Sequence, residues 1–289
     1  MKSISIVAMC IACVCVSCVE NFDISQEESS DLIVIDAIVT DYDSVQTVYI
    51  RRDKESLGYR YEPHYDAFED AFVSIEDDNG WSADFENIDN RGREFTLSGH
   101  QFEPGRTYTI TVRIGEREFR ATEKIVPLPD IDGLKFYAKE NKEGDTAYNA
   151  IIYFKDNQPD VDNYYLINGV ISRDSYASRY VELQRLSDVG LRDDLNGVAI
   201  EVGLGAEWYL DTHLWYGGFY VYELMTISKS NYDYYGVMGD QINSDGGVYK
   251  PTPTSPVSNF SGENVQGQFI AATKFVFSGY VTEDMIIER

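Results

Sequence analysis

Ala71-Phe72-Val73-Ser74-Ile75-Glu76-Asp77-Asp78-Asn79-Gly80-Trp81-Ser82-Ala83-Asp84-Phe85 decides the fold. Residues 71–77 alternate and read as a strand, Asp78-Asn79-Gly80 is a tight hairpin signal, and residues 81–85 return as a second strand. The same grammar extends in both directions. Upstream, Leu32-Ile33-Val34-Ile35-Asp36-Ala37-Ile38-Val39-Thr40 is a strand, Asp41-Tyr42-Asp43-Ser44 a turn, and residues 45–51 a second strand. Downstream, residues 94–97, 107–114 and 118–125 read as strands, punctuated by Gly92, Gly99, Pro104-Gly105 and Gly115. Seven short alternating strands in about 95 residues are the signature of an immunoglobulin-like β-sandwich, here without the paired cysteines of antibody domains.

The expected architecture is mainly β, with this sandwich over residues 32–126. Val126-Pro127-Leu128-Pro129-Asp130 marks the boundary, because two prolines two positions apart stiffen the chain and cannot lie inside a central strand. Residues 127–289 are read as a second β-rich sandwich or partial barrel, with strands near 134–137, 147–154, 164–171, 179–186, 198–204, 219–228 and 267–277. One helix is expected near 231–242. Ser230 and Asp233 have capping-box spacing, and Tyr235, Met238 and Ile242 fall on one face behind them. An aromatic content of 13%, with 22 tyrosines, favours pleated sheet throughout.

The beginning of the chain carries a different message. After Met1-Lys2-Ser3, residues 4–16 form an almost unbroken apolar run, too short to span a bilayer and the right length for a signal-peptide core. It ends at Ser17-Cys18, and the composition turns polar and acidic at once. A small residue before a cysteine at such a junction resembles the lipobox of bacterial lipoproteins, with Cys15 where a leucine is common. The expectation is a signal peptide over residues 1–17, lipidation of Cys18, and a solvated tether over residues 18–31. Two or three acyl chains on Cys18 would hold the body beside a membrane.

Composition narrows the chemistry. All four cysteines lie at positions 10, 13, 15 and 18, so a chain beginning at Cys18 has no other thiol and no intramolecular disulfide. Thiolate metal sites and iron–sulfur clusters are thereby excluded from the body. The formal charge of −25 becomes −26 without residues 1–17, which argues against nucleic acid and anionic lipid as partners. No G-x-S-x-G, H-E-x-x-H, P-loop or dinucleotide fingerprint occurs, and His64, His100 and His213 have no motif around them. The reading is therefore non-enzymatic, with no cofactor and no metal. The acidic stretches at 156–162 and 193–196 lack EF-hand spacing and read as turns between strands. Two aromatic groups are candidates for stacking or interface contacts: Tyr59, Tyr61 and Tyr65, and Trp208, Tyr209, Trp215 and Tyr216. Residues 249–256, with Tyr249, Pro251, Pro253 and Pro256, read as an extended surface strip.

Several landmarks in order resemble a lipoprotein family of the Bacteroidota, domain of unknown function 4249. They are the lipobox cysteine, the acidic tether, residues 32–37, residues 71–77, Gly105-Arg106-Thr107-Tyr108-Thr109-Ile110, and Val126-Pro127-Leu128-Pro129-Asp130-Ile131-Asp132. Near the end, Ser258-Asn259-Phe260-Ser261-Gly262 leads into Val265-Gln266-Gly267-Gln268-Phe269, and Asn264 stands where that family often has glycine. The resemblance implies an outer-membrane lipoprotein that partners a TonB-dependent transporter in substrate capture or gating. It also implies a cell-surface position, for which Glu20 and Asp23 resemble the acidic export signal, and it implies no catalytic residues. Asp43-Ser44-Val45 and Asp145-Thr146-Ala147 resemble the three-residue O-glycosylation acceptor of the Bacteroidota periplasm. Two other readings stay open: an adhesin or pilus-type subunit, and a carbohydrate-acting enzyme.

Overall fold

A computed structural model describes residues 32–52, 68–140, 146–155, 161–172, 178–187, 199–203, 208–209, 219–242 and 255–287. Its first part contains β1 (Ile33–Thr40), β2 (Val45–Arg52), β3 (Phe72–Asp77), β4 (Ser82–Asp84), β5 (Glu86–Asn87), β6 (Glu94–Ser98), β7 (Thr107–Ile114) and β8 (Arg117–Lys124). The expected hairpin is present. Asp77 Oδ1 accepts the Asn79 and Trp81 amides at 2.9 and 2.8 Å, and Gly80 takes φ +91°, the left-handed conformation that a tight turn asks of glycine. The return strand expected over residues 81–85 is β4, and the chain changes sheets just beyond it. β4 pairs with β3, while β5 pairs with β6 in the opposite sheet. Phe85 sits at the crossing and is buried in the core between them.

These strands form the two layers of a sandwich. One layer is the sheet β4-β3-β7-β8, and the other is the β5-β6-β2-β1 end of a larger sheet. Alternation supplies the core: Ile33, Ile35, Ala37 and Val39 of β1 pack in one cluster with Val73 and Ile75 of β3 and Ile110 and Val112 of β7. Burying each larger aliphatic chain contributes about 1.5–3 kcal/mol.

The second part contains β9 (Asp130–Glu140), β10 (Thr146–Lys155), β11 (Tyr164–Ser172), β12 (Ser178–Ser187), β13 (Ala199–Gly203), β14 (Trp208–Tyr209), β15 (Phe219–Ile227), α1 (Lys229–Ile242), β16 (Val265–Tyr280) and β17 (Ile286–Ile287). It is a sandwich and not a closed barrel. The sheet β13-β10-β9-β17, with β14 also on β10, stays separate from β12-β11-β15-β16. Phe136, Ile152 and Phe154 of the first sheet and Tyr165, Tyr222 and Leu224 of the second share one buried cluster.

The two halves share one strand. Residues 265–272 of β16 pair in parallel with β1, and residues 273–280 pair antiparallel with β15. A division of the chain at residue 126 therefore leaves one strand of the first sandwich near the far end of the sequence. A parallel neighbour of β1 requires a long crossover, and here the rest of the fold is that crossover. Gly267 sits where β16 approaches β1. Its φ is +97°, and a Cβ there would lie 2.0 Å from the Ile35 carbonyl oxygen. Asn264 has φ +53°, a left-handed conformation that asparagine tolerates better than most side chains, which accounts for asparagine in place of glycine.

The helix starts two residues before the expected 231. Ser228, not Ser230, caps it: the Ser228 hydroxyl accepts the Asn231 amide at 3.3 Å, while the Ser230 hydroxyl reaches Glu123 at 3.0 Å. Tyr232 and Tyr235 pack on Tyr164, Leu166, Met225 and Ile270, covering one face of the large sheet. Among the described residues, no helix is long and apolar enough to cross a membrane.

Candidate functional site

Cys18, Tyr59, Tyr61, Tyr65, Trp215, Tyr216, Tyr249, His64 and His213 lie outside the described residues, and so do residues 156–160 and 193–196. Trp208 and Tyr209 form β14, on β10 of the second sandwich. Among the described residues, no three His, Cys, Asp or Glu side chains gather as a metal-binding group. Ser44 of the Asp43-Ser44-Val45 triplet is exposed in the β1–β2 turn, while Asp43 is engaged with Lys274 at 2.6 Å. His100 is a packing residue. Its ring stacks on Trp81 with centroids 3.4 Å apart and meets Phe102 edge-on at 4.9 Å. Burial there holds its pKa below the usual histidine range, against the pull of Asp77 and Glu103.

The motif at 258–269 has a structural explanation that its composition does not announce. β16 bonds to β1 on one edge, and along residues 265–272 no strand among the described residues lies on its other edge. Side chains take that place. Asn259 copies a neighbouring peptide group: its Oδ1 accepts the Phe269 amide at 2.8 Å and its Nδ2 donates to the Phe269 carbonyl at 2.8 Å. The Ser258 hydroxyl donates to the Gly267 carbonyl at 2.7 Å, and Asn231 Nδ2 adds a 3.1 Å bond to Phe269. Phe260 plugs into the first core, and the Ser261 amide donates to the Arg120 carbonyl on edge strand β8 at 2.7 Å. The segment thus laces the two layers of the first sandwich at an edge that would otherwise invite another strand.

Glu123 of β8 lies at the centre of this lacing. It is 6% exposed, and its Oε1 accepts from Asn259 Nδ2 at 2.8 Å and from the Ser230 hydroxyl at 3.0 Å. Burial raises its pKa, and the donors of Asn259, Ser228 and Ser230 offset only part of that rise. Its position against the first turn of α1 also favours negative charge.

The described surface has a second feature, on the outer face of β4-β3-β7-β8. There a shallow groove of about 310 Å³ runs across the strands. Strand register sets three rows: Phe72, Arg113 and Glu118; Asp84, Ser74, Thr111 and Arg120; Ser82, Glu76, Thr109 and Thr122. Glu118 bridges the two arginines, its carboxylate oxygens each accepting an Nε–H at 2.7 Å. Those bonds, from Arg113 and then Arg120, hold the Glu118 carboxyl below its ordinary range. Thr109 and Thr122 hydroxyls meet at 2.9 Å, and Thr111 is buried at the floor. Sequence reading treats these outward positions as ordinary strand residues. The available signal is Thr107, Thr109, Thr111 and Arg113 at alternate positions of β7, beside Arg120 and Thr122 of β8.

No curated protein matches the chain. Among solved structures, a two-domain fibronectin type-III segment of chicken tenascin aligns at 10% identity over 66% of this chain and 88% of that one, with a TM-score of 0.20, too low to carry an argument. A family model described as "Domain of unknown function (DUF4249)" matches residues 19–277. The match takes in every strand from β1 to β15, the shared strand to Phe277 and the lacing motif, and the chain belongs to the DUF4249 family.

Proposed function

We propose that the protein is a lipid-anchored, non-enzymatic outer-membrane lipoprotein, held through Cys18 at the cell surface, that assists a TonB-dependent transporter in substrate capture or gating. The observation that carries the reading is the Ser17-Cys18 junction. Apolar sequence stops there, acidic sequence begins, and the family match opens at the very next residue, Val19. Acyl chains on Cys18 supply the membrane affinity, since two or more are needed for lasting attachment. The polar stretch at 20–31 is long enough to reach about 40 Å when extended, at roughly 3.3–3.6 Å per residue. The body then presents sheet faces to a partner or a captured molecule. The acidity of the chain opposes adsorption to anionic lipid and leaves the anchor as the attachment.

The test has two arms. Wild-type protein should incorporate labelled palmitate and float with outer membranes, and Cys18→Ala should do neither. Tagged protein pulled from detergent-solubilised outer membrane should bring down a TonB-dependent transporter. Acylation of Cys18→Ala would refute the anchor. Recovery without any transporter would refute the partnership.

A further inference from the structure

We propose that the groove on the outer face of β4-β3-β7-β8 binds a neutral oligosaccharide. The inference gives a ligand class to the capture part of the reading above, on which it rests, but needs neither the anchor nor the transporter. This solvated sheet face mixes carboxylate acceptors with arginine donors and with hydroxyls that act as either. Arg113 and Arg120 spend their Nε–H groups on Glu118, which fixes both guanidinium planes and leaves their Nη groups as donors within the lining. Asp84 and Glu76 supply acceptors in the same lining, and Ser74 and Thr111 stand between Asp84 and Arg120 in one row. Within a row, neighbouring groups stand about 4.8 Å apart across the strands, and successive rows stand about 6.8 Å apart along them.

Charge decides among ligand classes. The two arginines oppose a cation. Glu76 and Asp84 match them in the lining, both arginines are already paired with Glu118 beside it, and the whole chain is acidic, so an anion is opposed as well. A polyhydroxylated neutral molecule satisfies both kinds of group, because each of its hydroxyls donates and accepts. Phe72 is 38% exposed at one end of the groove and offers an aromatic face to the C–H side of a sugar ring. The volume of about 310 Å³ lies at the small end of ligand sites and suits a short, solvent-open stretch of glycan.

The probe is affinity electrophoresis of the full chain in detergent through native gels. The gels contain a neutral α-glucan, β-glucan, mannan or galactan, with polygalacturonate as the charged control. At least one neutral polymer should retard the wild type, with little retardation in polygalacturonate. Phe72→Ala and Asp84→Asn, both exposed changes that spare the core, should each weaken retardation tenfold or more. The Cys18→Ala protein should be retarded like the wild type, which separates this result from the fate of the anchor. Absence of retardation in all four neutral gels, or retardation that both groove variants retain, overturns the proposal.

Discussion

The lacing by Asn259 makes a quantitative prediction. In Asn259→Ala, the Phe269 amide loses its acceptor at 2.8 Å, while the Phe269 carbonyl keeps Asn231 at 3.1 Å. An orphaned buried donor costs about 1–3 kcal/mol. Glu123 also loses a 2.8 Å donor and keeps Ser230, and a bond to a charged group is worth about 1.5–3 kcal/mol. The two losses share one side chain and add to about 3–5 kcal/mol. With a urea slope of about 2–3 kcal/mol per molar, the midpoint should fall by about 1–2 M. Asn259→Asp sharpens the test. It can still accept the Phe269 amide, but it places a second carboxylate against Glu123. At pH 8 it should be less stable than the alanine variant, and the order should reverse as pH falls and the pair takes up a proton. Urea unfolding followed by tryptophan fluorescence gives the midpoints, and hydrogen exchange of peptide 265–272 reports the edge itself. A midpoint shift below about 0.3 M in Asn259→Ala, or exchange of 265–272 at the wild-type rate, would show that the side-chain strand contributes nothing.

Two further outcomes follow from the same region. The folded pKa of Glu123 lies above its unfolded value, so its burial costs stability that is recovered as pH falls through the folded value toward the unfolded one; Glu123→Gln should be at least as stable as the wild type at neutral pH, and its advantage should shrink with acidification in thermal melts at stepped pH. Gly267→Ala combines a left-handed backbone at φ +97° with a Cβ driven to 2.0 Å from the Ile35 carbonyl, and should cost about 3 kcal/mol or more, read as a fall in the unfolding midpoint; a variant within about 1 kcal/mol of the wild type would contradict the close approach of β16 to β1.

Much of the first sandwich was legible because its signals are local. β1 has alternating apolar residues, the hairpin has Asp-Asn-Gly, and the chain between β8 and β9 has prolines, all within a few positions of the structure they specify. What stayed hidden depends on distant partners. Nothing near Val265–Ala272 says that it will pair with residues 33–40, more than 220 positions away. Nothing near Phe85 says that its strand will change sheets, since either sheet would accept the pattern. Ser228 and Ser230 have equal claims to the helix cap until Glu123, 107 residues from Ser230, engages the second. The groove is illegible for a related reason. Its rows are composed across four strands, and a row leaves no period along any one of them. Asn259 was visible only as part of a motif, because an asparagine that imitates a peptide group looks like a turn residue in sequence.

Long-range pairing also bears on how the two halves are held against each other. The boundary at Val126 reads as a joint, yet β16 pins both of its sides where it passes from β1 to β15. The Thr273 hydroxyl donates to the Val126 carbonyl at 2.7 Å. One residue on, the Lys274 amide donates to Asp41 Oδ1 at 2.9 Å, and its ammonium reaches Asp43 at 2.6 Å and Glu223 at 3.4 Å. The Lys274 side chain is only 10% exposed, and a charge so placed needs its partners. Asp43 comes from the first sandwich and Glu223 from β15 of the second, so any rotation between the halves would separate that ammonium from one carboxylate or the other. The groove reaches this junction through β8, whose Arg120 carbonyl and Glu123 carboxylate both engage the lacing segment beside β16. β8, and the groove with it, is thereby tied to a strand that continues into the second sandwich.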